Sequence, residues 1–179
     1  MFKGNRIILR EYKKDDLEYL LKIMNEEEYK KYVVSRIPYP NTFSDVEEDF
    51  KKISGNKDYY DFAIESIDEG KYIGECGIKS VDWKNRKTEI YIFLGKDYVE
   101  KGYGTDAMKV LLSFIFNEMN LHKVKLTVFS FNTRAIKCYE KCGFRIEGTL
   151  KSELYKGGNY HDLIIMGILK EEYINHNNS

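Results

Sequence analysis

The hydrophobic period of this chain changes twice along its length, and that succession restricts the fold more than any other feature. Before residue 54 apolar side chains recur at helical spacing: Leu17, Leu20, Leu21 and Met24, then Val46, Phe50 and Ile53. A period of two then takes over. Residues 59–67, 72–79 and 88–94 read as strands joined by turns at Asp68-Glu69-Gly70-Lys71 and Lys84-Asn85-Arg86, which makes an antiparallel meander. Beyond Leu94 helices and strands alternate. Residues 104–119 read as a helix, 123–129 as a strand, and 132–142 as a helix closed by Gly143. Residues 144–155 and 160–169 read as strands across a Gly157-Gly158 turn. With a first strand at 6–11 the order is βαα-βββ-αβ-αββ, an α/β chain with a mixed sheet and helices on its faces. Asp15 with Glu18, and Ser44 with Glu47, have the spacing of capping boxes.

No repeat, low-complexity block or Pro/Ser-rich linker interrupts the 179 residues, so one domain over 1–174 is predicted, with a frayed polar tail at 175–179. The 29 Lys and Arg balance the 29 Asp and Glu, which argues against a nucleic-acid partner bound by bulk charge. The longest nearly apolar stretch, 110–116, is far below the ~20 residues that cross a bilayer. Ile7-Ile8-Leu9 runs at once into Arg10 and Glu11, so neither a leader segment nor a membrane partner is expected. Cys76, Cys138 and Cys142 are odd in number and form no CxxC, which suits reduced thiols and a cytoplasmic location. His122, His161 and His176 are scattered, so no metal site is expected.

The segment Val99-Glu100-Lys101-Gly102-Tyr103-Gly104-Thr105 carries the most chemistry. It leaves a strand, passes two glycines and enters a helix. Glycine lets successive N–H groups converge without a side chain in the way, and the helix start adds unpaired donors; together they suit phosphate oxygens. The plain alternative is a turn into a helix. A P-loop needs GxxxxGK[ST], which the chain lacks. Gly102, Gly104 and Ala107 match a dinucleotide fingerprint formally. The following strand, Leu126 through Phe131, offers no acidic residue for a ribose, and a meander precedes the loop.

A second motif lies one strand further on: Asn132-Thr133-Arg134-Ala135-Ile136-Lys137-Cys138-Tyr139-Glu140-Lys141-Cys142-Gly143-Phe144. Asn132 can be an N-cap, Tyr139 a core aromatic and Gly143 a C-cap. The two motifs in order resemble the GNAT (Gcn5-related N-acetyltransferase) superfamily. The first matches its Q/R-x-x-G-x-G/A loop at both glycines and departs at Val99, and the second matches its N-x-x-A-x-x-x-Y-x-x-x-G-F helix. The resemblance covers residues 7–173. It implies a mostly antiparallel sheet of about seven strands, splayed at its middle, with helices on both faces.

The resemblance also implies roles. Acetyl-CoA would be the acyl donor, with its diphosphate on residues Val99, Glu100, Lys101, Gly102, Tyr103, Gly104 and Thr105. Pantetheine would lie along Ile92, Phe93 and Leu94, and against Asn132 and Ala135. Tyr139 would be the acid that protonates departing coenzyme A. Glu89, through a water, is the candidate base, against the alternative of a carboxylate paired with a lysine. Cys138 and Cys142 read as small packing groups rather than as acyl carriers.

For the acceptor, Ile7-Ile8-Leu9-Arg10, Pro38-Tyr39-Pro40-Asn41-Thr42 and Asp82-Trp83-Lys84-Asn85-Arg86 resemble the branch containing ribosomal-protein N-terminal alanine acetyltransferases. That branch also holds polyamine and antibiotic acetyltransferases. Ser35 and Arg36 stand where spermidine enzymes carry acids, which ranks a protein N-terminus ahead of a polyamine, although Glu26, Glu27, Glu28 and Asp45 could supply charge. A non-catalytic coenzyme A-binding module and a purely structural domain are the readings from other classes. The tyrosine-rich hairpin at 154–160 is a candidate homodimer surface or a plain sheet edge.

Overall fold

The computed structural model describes residues 1–53 and 60–177. Eight strands form one sheet: β1 (Phe2–Lys3), β2 (Ile7–Arg10), β3 (Tyr60–Ser66), β4 (Tyr72–Asp82), β5 (Lys87–Leu94), β6 (Lys123–Phe129), β7 (Arg145–Lys156) and β8 (Asn159–Leu169). Their order is β1-β2-β3-β4-β5-β6-β8-β7. Among the described residues six α-helices accompany them: α1 (Asp16–Asn25), α2 (Glu27–Tyr32), α3 (Phe43–Ile53), α4 (Tyr103–Ser113), α5 (Thr133–Lys141) and α6 (Lys170–Asn177). The mixed α/β reading holds, with β1 as the additional strand. Tyr59, the expected start of β3, lies outside the described residues. No described helix is long and apolar enough to cross a membrane.

The backbone divides into two compact units, residues 1–78 with 92–110, and residues 79–91 with 111–179. In the first, β2 pairs antiparallel with β1 and β3, and β3 with β4. Alternation on these strands buries Ile7 and Leu9, Ile64, and Ile73, while Leu17, Leu20 and Ile23 of α1 supply the helical stripe. A buried Arg10 is held by Asp16 (2.6 Å) and Glu65 (2.5 Å). Asp16 therefore serves both a strand and the turn into α1, where its carboxylate accepts the Lys13 N–H at 2.7 Å, and Asp15 makes no side-chain cap. The cap of α3 lies two residues before the expected Ser44. Thr42 Oγ1 accepts from the Asp45 backbone N–H and the Asp45 carboxylate accepts from the Thr42 backbone, while Glu47 pairs with Lys51.

In the second unit β5 pairs parallel with β6 over three residues, Lys87–Glu89 against Lys123–Lys125. The strand β6 pairs antiparallel with β8 over seven, and β8 with β7. The first helix of the alternating half starts at Tyr103 and its last turn, Phe114–Glu118, is a π-turn rather than α-helix. Ile115 and Phe116 of that turn are fully buried, so the wider turn places two consecutive large side chains inward. The expected tail is partly helical: α6 extends through Asn177, and its Tyr173 ring lies 4.9 Å from Phe116.

Candidate functional site

In the first unit the chain leaves β5 at Gly95, makes a 3-10 turn over Lys96–Tyr98, and reaches Val99 in extended backbone. Glu100 (φ 58°) and Gly102 (φ 88°) are both left-handed, and α4 begins at Tyr103. Glycine adopts that region freely, whereas Glu100 does so at a cost of about 1–3 kcal/mol. The first helical bond runs from the Asp106 N–H to the Gly102 carbonyl at 3.1 Å. In a regular helix the N–H groups before the first such bond find their acceptors outside the helix. Tyr98 meets Tyr103 edge to face at 5.8 Å and donates its hydroxyl to Glu69 at 2.9 Å. Burial first, then that carboxylate, push the Tyr98 phenol up to about 12.

The loop is fastened from one hundred residues away. The Asp106 carboxylate accepts three successive backbone N–H groups, from Asn5 (3.2 Å), Arg6 (2.7 Å) and Ile7 (3.2 Å). Arg6 also donates through Nη1 to the Lys101 carbonyl at 3.2 Å. Sequence reasoning missed both residues, because nothing in local periodicity links the first strand to this turn.

At the end of β5, Phe93 is buried and its ring meets Tyr29 at 4.8 Å. A Cβ on Gly74 would lie 2.2 Å from the Phe93 carbonyl oxygen, so β4 can approach Phe93 and Leu94 only with glycine there. Tyr29 also lines a cavity of about 200 Å³ with Met24, Lys30, Val33, Arg36 and Tyr39. Its phenol is raised to about 12, first by burial and then by the charge of Glu75, whose carboxylate accepts the Tyr12 hydroxyl at 2.8 Å. Of the acids the sequence offered for charge, Glu26 accepts the Lys96 N–H, Glu27 pairs with Lys30, and Asp45 caps α3.

The second unit holds the other expected residues. Asn132 caps α5, its Oδ1 accepting from the Ala135 N–H at 3.3 Å, so the structure brings these two together. Tyr139 lies one turn beyond Ala135 and is 8% exposed. Its carbonyl accepts from Cys142 and Phe144, and Gly143 (φ 93°) closes the helix as expected. Among the described residues nothing hydrogen-bonds the Tyr139 hydroxyl. Burial, then the neighbouring Cys138 and Cys142, hold that phenol well above its ordinary value, so it keeps its proton at any working pH. A protonated phenol can donate.

Glu89 lies on β5 between two cations, Lys79 at 2.9 Å and Lys125 at 3.5 Å. Burial raises its carboxyl, but the lysine bonds outweigh that and hold it below the usual carboxylate range. The lysine-paired alternative therefore describes its ground state. Among the described residues no group of three His, Cys, Asp or Glu is placed to hold a metal.

Comparison with known proteins adds to this geometry. The profile of the acetyltransferase (GNAT) domain matches residues 6–145. Spermidine N(1)-acetyltransferase of Escherichia coli K12 is 28% identical over 182 aligned positions, which take in 97% of this chain and 91% of that protein. A putative ribosomal N-acetyltransferase, YdaF of Bacillus subtilis, is 31% identical over 59% of this chain and 57% of its own. Among solved structures, Vibrio cholerae spermidine N-acetyltransferase in complex with CoA and spermine superposes with a TM-score of 0.85 at 28% identity. That match covers 96% of this chain and all of the other.

Proposed function

The chain belongs to the GNAT acetyltransferase family, and from that premise we propose that the amine it acetylates is a polyamine of the spermidine class. Transfer of an acetyl group from acetyl-CoA to an amine is the activity of the family and of its full-length relatives, and it is the activity of this chain. The acceptor reading rests on one observation: similarity to spermidine acetyltransferases runs through nearly the whole chain. This reverses the ranking made from Ser35 and Arg36, which put a protein N-terminus first.

The proposed chemistry is direct. An alkyl ammonium has a pKa near 10, so it must lose a proton before it can attack. Glu89, through a bridging water, is the proposed base, and its lysine pairs make it a weak one. The neutral nitrogen adds to the thioester carbonyl, the C–S bond breaks, the departing thiolate takes the proton of Tyr139, and the proton that the nitrogen sheds on becoming an amide returns to that phenolate. Backbone groups of Ile92, Phe93 and Leu94 are assigned to pantetheine and the oxyanion, with Asn132 and Ala135 along the pantetheine arm. The diphosphate is assigned to Val99, Glu100, Lys101, Gly102, Tyr103, Gly104 and Thr105. The span 1–174 working as one domain in the cytoplasm, and a homodimer through the hairpin carrying exposed Tyr155 and Tyr160, belong to the same proposal.

A second reading is favoured by the cavity beside Tyr29, which Lys30 and Arg36 line. Two cations there repel a polycation and suit an acceptor with an acidic or carbonyl-rich group near its amine, such as a peptide N-terminus. Thiol release with spermidine, spermine, and peptides of varied first residue separates the two. Polyamine turnover at least tenfold above every peptide supports the first reading, and the reverse order establishes the second. Sedimentation at micromolar concentration tests the dimer.

A further inference from the structure

Arg6 is an exposed guanidinium set against the turn that enters α4. One of its five N–H donors is engaged, on the Lys101 carbonyl at 3.2 Å. A Cβ built on Gly102 would lie 3.8 Å from Arg6 Nε and 3.9 Å from Arg6 Cδ, so the side chain runs alongside the glycine and the Nε–H sits at its open face. Among the described residues no carboxylate pairs with this guanidinium and no other acceptor takes its remaining donors. The nearby acid, Asp106, is occupied by three backbone N–H groups.

The placement is held rather than incidental. Asp106 opens α4 through its backbone N–H and fixes the Arg6 backbone through its carboxylate, so turn and guanidinium share one anchor. Gly4 leaves room for it, since a Cβ there would lie 2.5 Å from the Asp106 carboxylate. An unpaired, planar, multiply donating cation beside a left-handed glycine and a helix start is a fork for phosphate oxygens. A lysine at the same place would offer charge without the fork.

We infer that Arg6 binds a phosphate group of the acyl donor, adding a side-chain cation to the main-chain donors of the 99–105 turn. The inference rests on the reading of that turn as the donor's diphosphate site. Two phosphate sources share this chemistry within coenzyme A, the diphosphate and the ribose 3′-phosphate.

The test uses the full chain and its Arg6→Ala and Arg6→Lys variants with three donors: acetyl-CoA, acetyl-dephospho-CoA, and S-acetylpantetheine, which has no phosphate. Dissociation constants come from calorimetry and kcat/KM from thiol release. Arg6→Ala is expected to weaken acetyl-CoA about tenfold or more, Arg6→Lys to fall between, and kcat/KM for S-acetylpantetheine to stay within twofold. A loss that persists with acetyl-dephospho-CoA assigns the diphosphate; one that vanishes there assigns the 3′-phosphate. Unchanged acetyl-CoA affinity overturns the inference, as does an equal loss with S-acetylpantetheine, which would mark Arg6 as a prop for the turn. If the unaltered chain bound acetyl-CoA no better than S-acetylpantetheine, the diphosphate reading itself would fail.

Discussion

The carboxylate of Asp106 accepts the backbone N–H of Arg6 at 2.7 Å, across a separation of one hundred residues. With the flanking bonds from Asn5 and Ile7, one side chain at the start of α4 closes the bend between β1 and β2. Asp106→Ala removes a charged acceptor from three donors that lie partly in water, so the cost is set at about 1–2 kcal/mol. The denaturant midpoint is expected to fall accordingly, with the slope unchanged, and KM for acetyl-CoA is expected to rise because the turn at 99–105 loses its anchor. A variant as stable as the parent, with the same KM, would show that the clamp is idle.

Tyr139 has a buried ring, a raised pKa and a hydroxyl that no described residue engages. Among the described residues no hydrogen bond therefore depends on that oxygen. Tyr139→Phe is expected to leave the melting temperature within a degree or two and to keep KM for acetyl-CoA within twofold. Positioned general acids contribute roughly 10²–10⁴-fold, so kcat should fall at least a hundredfold. A kcat unchanged by the substitution removes Tyr139 from the reaction.

Glu89 is held by Lys79 and Lys125, which lower its basicity. Brønsted behaviour then limits what it can add as a base. Glu89→Gln is expected to lower kcat about tenfold with polyamine or peptide acceptors, less than the tyrosine substitution does. The pH–rate profile decides the cause: a base role predicts loss of the acidic limb, whereas a purely structural ion pair leaves the profile's shape intact and lowers only stability.

Much of this was legible in the sequence because the signals were local. The strand β6 begins and ends where alternation places it, and Asn132, Tyr139 and Gly143 take their cap, buried and left-handed positions. Local signals failed where two acids competed for one task. Asp15 and Asp16 are adjacent, and it is Asp16 whose carboxylate the buried Arg10 and the Lys13 N–H engage. Thr42 and Ser44 each have an acid three residues on; Asp45 answers Thr42, whereas Glu47 is drawn to Lys51 one turn further along. The role of Asp106 was invisible, since its partners Asn5, Arg6 and Ile7 lie in the first strand region. The end of α6, residues 175–177, reads as tail because it is polar, and nothing local shows that Tyr173 will pack on Phe116.

The last prediction concerns acid. Arg10 is buried and bonded to Asp16 and Glu65. Burial raises the Glu65 carboxyl, but the Arg10 hydrogen bond, aided by Lys13, outweighs it and leaves the pKa below its ordinary value. Glu89 is depressed in the same way by Lys79. A carboxylate depressed on folding contributes stability that is present above its unfolded pKa, near 4.3, and is lost as pH falls through the folded value. Stability is therefore expected to be flat in these groups from pH 7 to about 5 and to drop below that. Glu65→Gln should flatten part of the drop at the expense of stability at pH 7. Asp16→Ala is the harsher change, because it takes the more buried of its two carboxylates from a buried guanidinium and leaves only Glu65 to balance the charge, at a cost of about 3 kcal/mol. Equilibrium unfolding from pH 3 to 8 checks all three; an acid limb identical in Glu65→Gln and the parent would show that the Arg10 cluster plays no part in it.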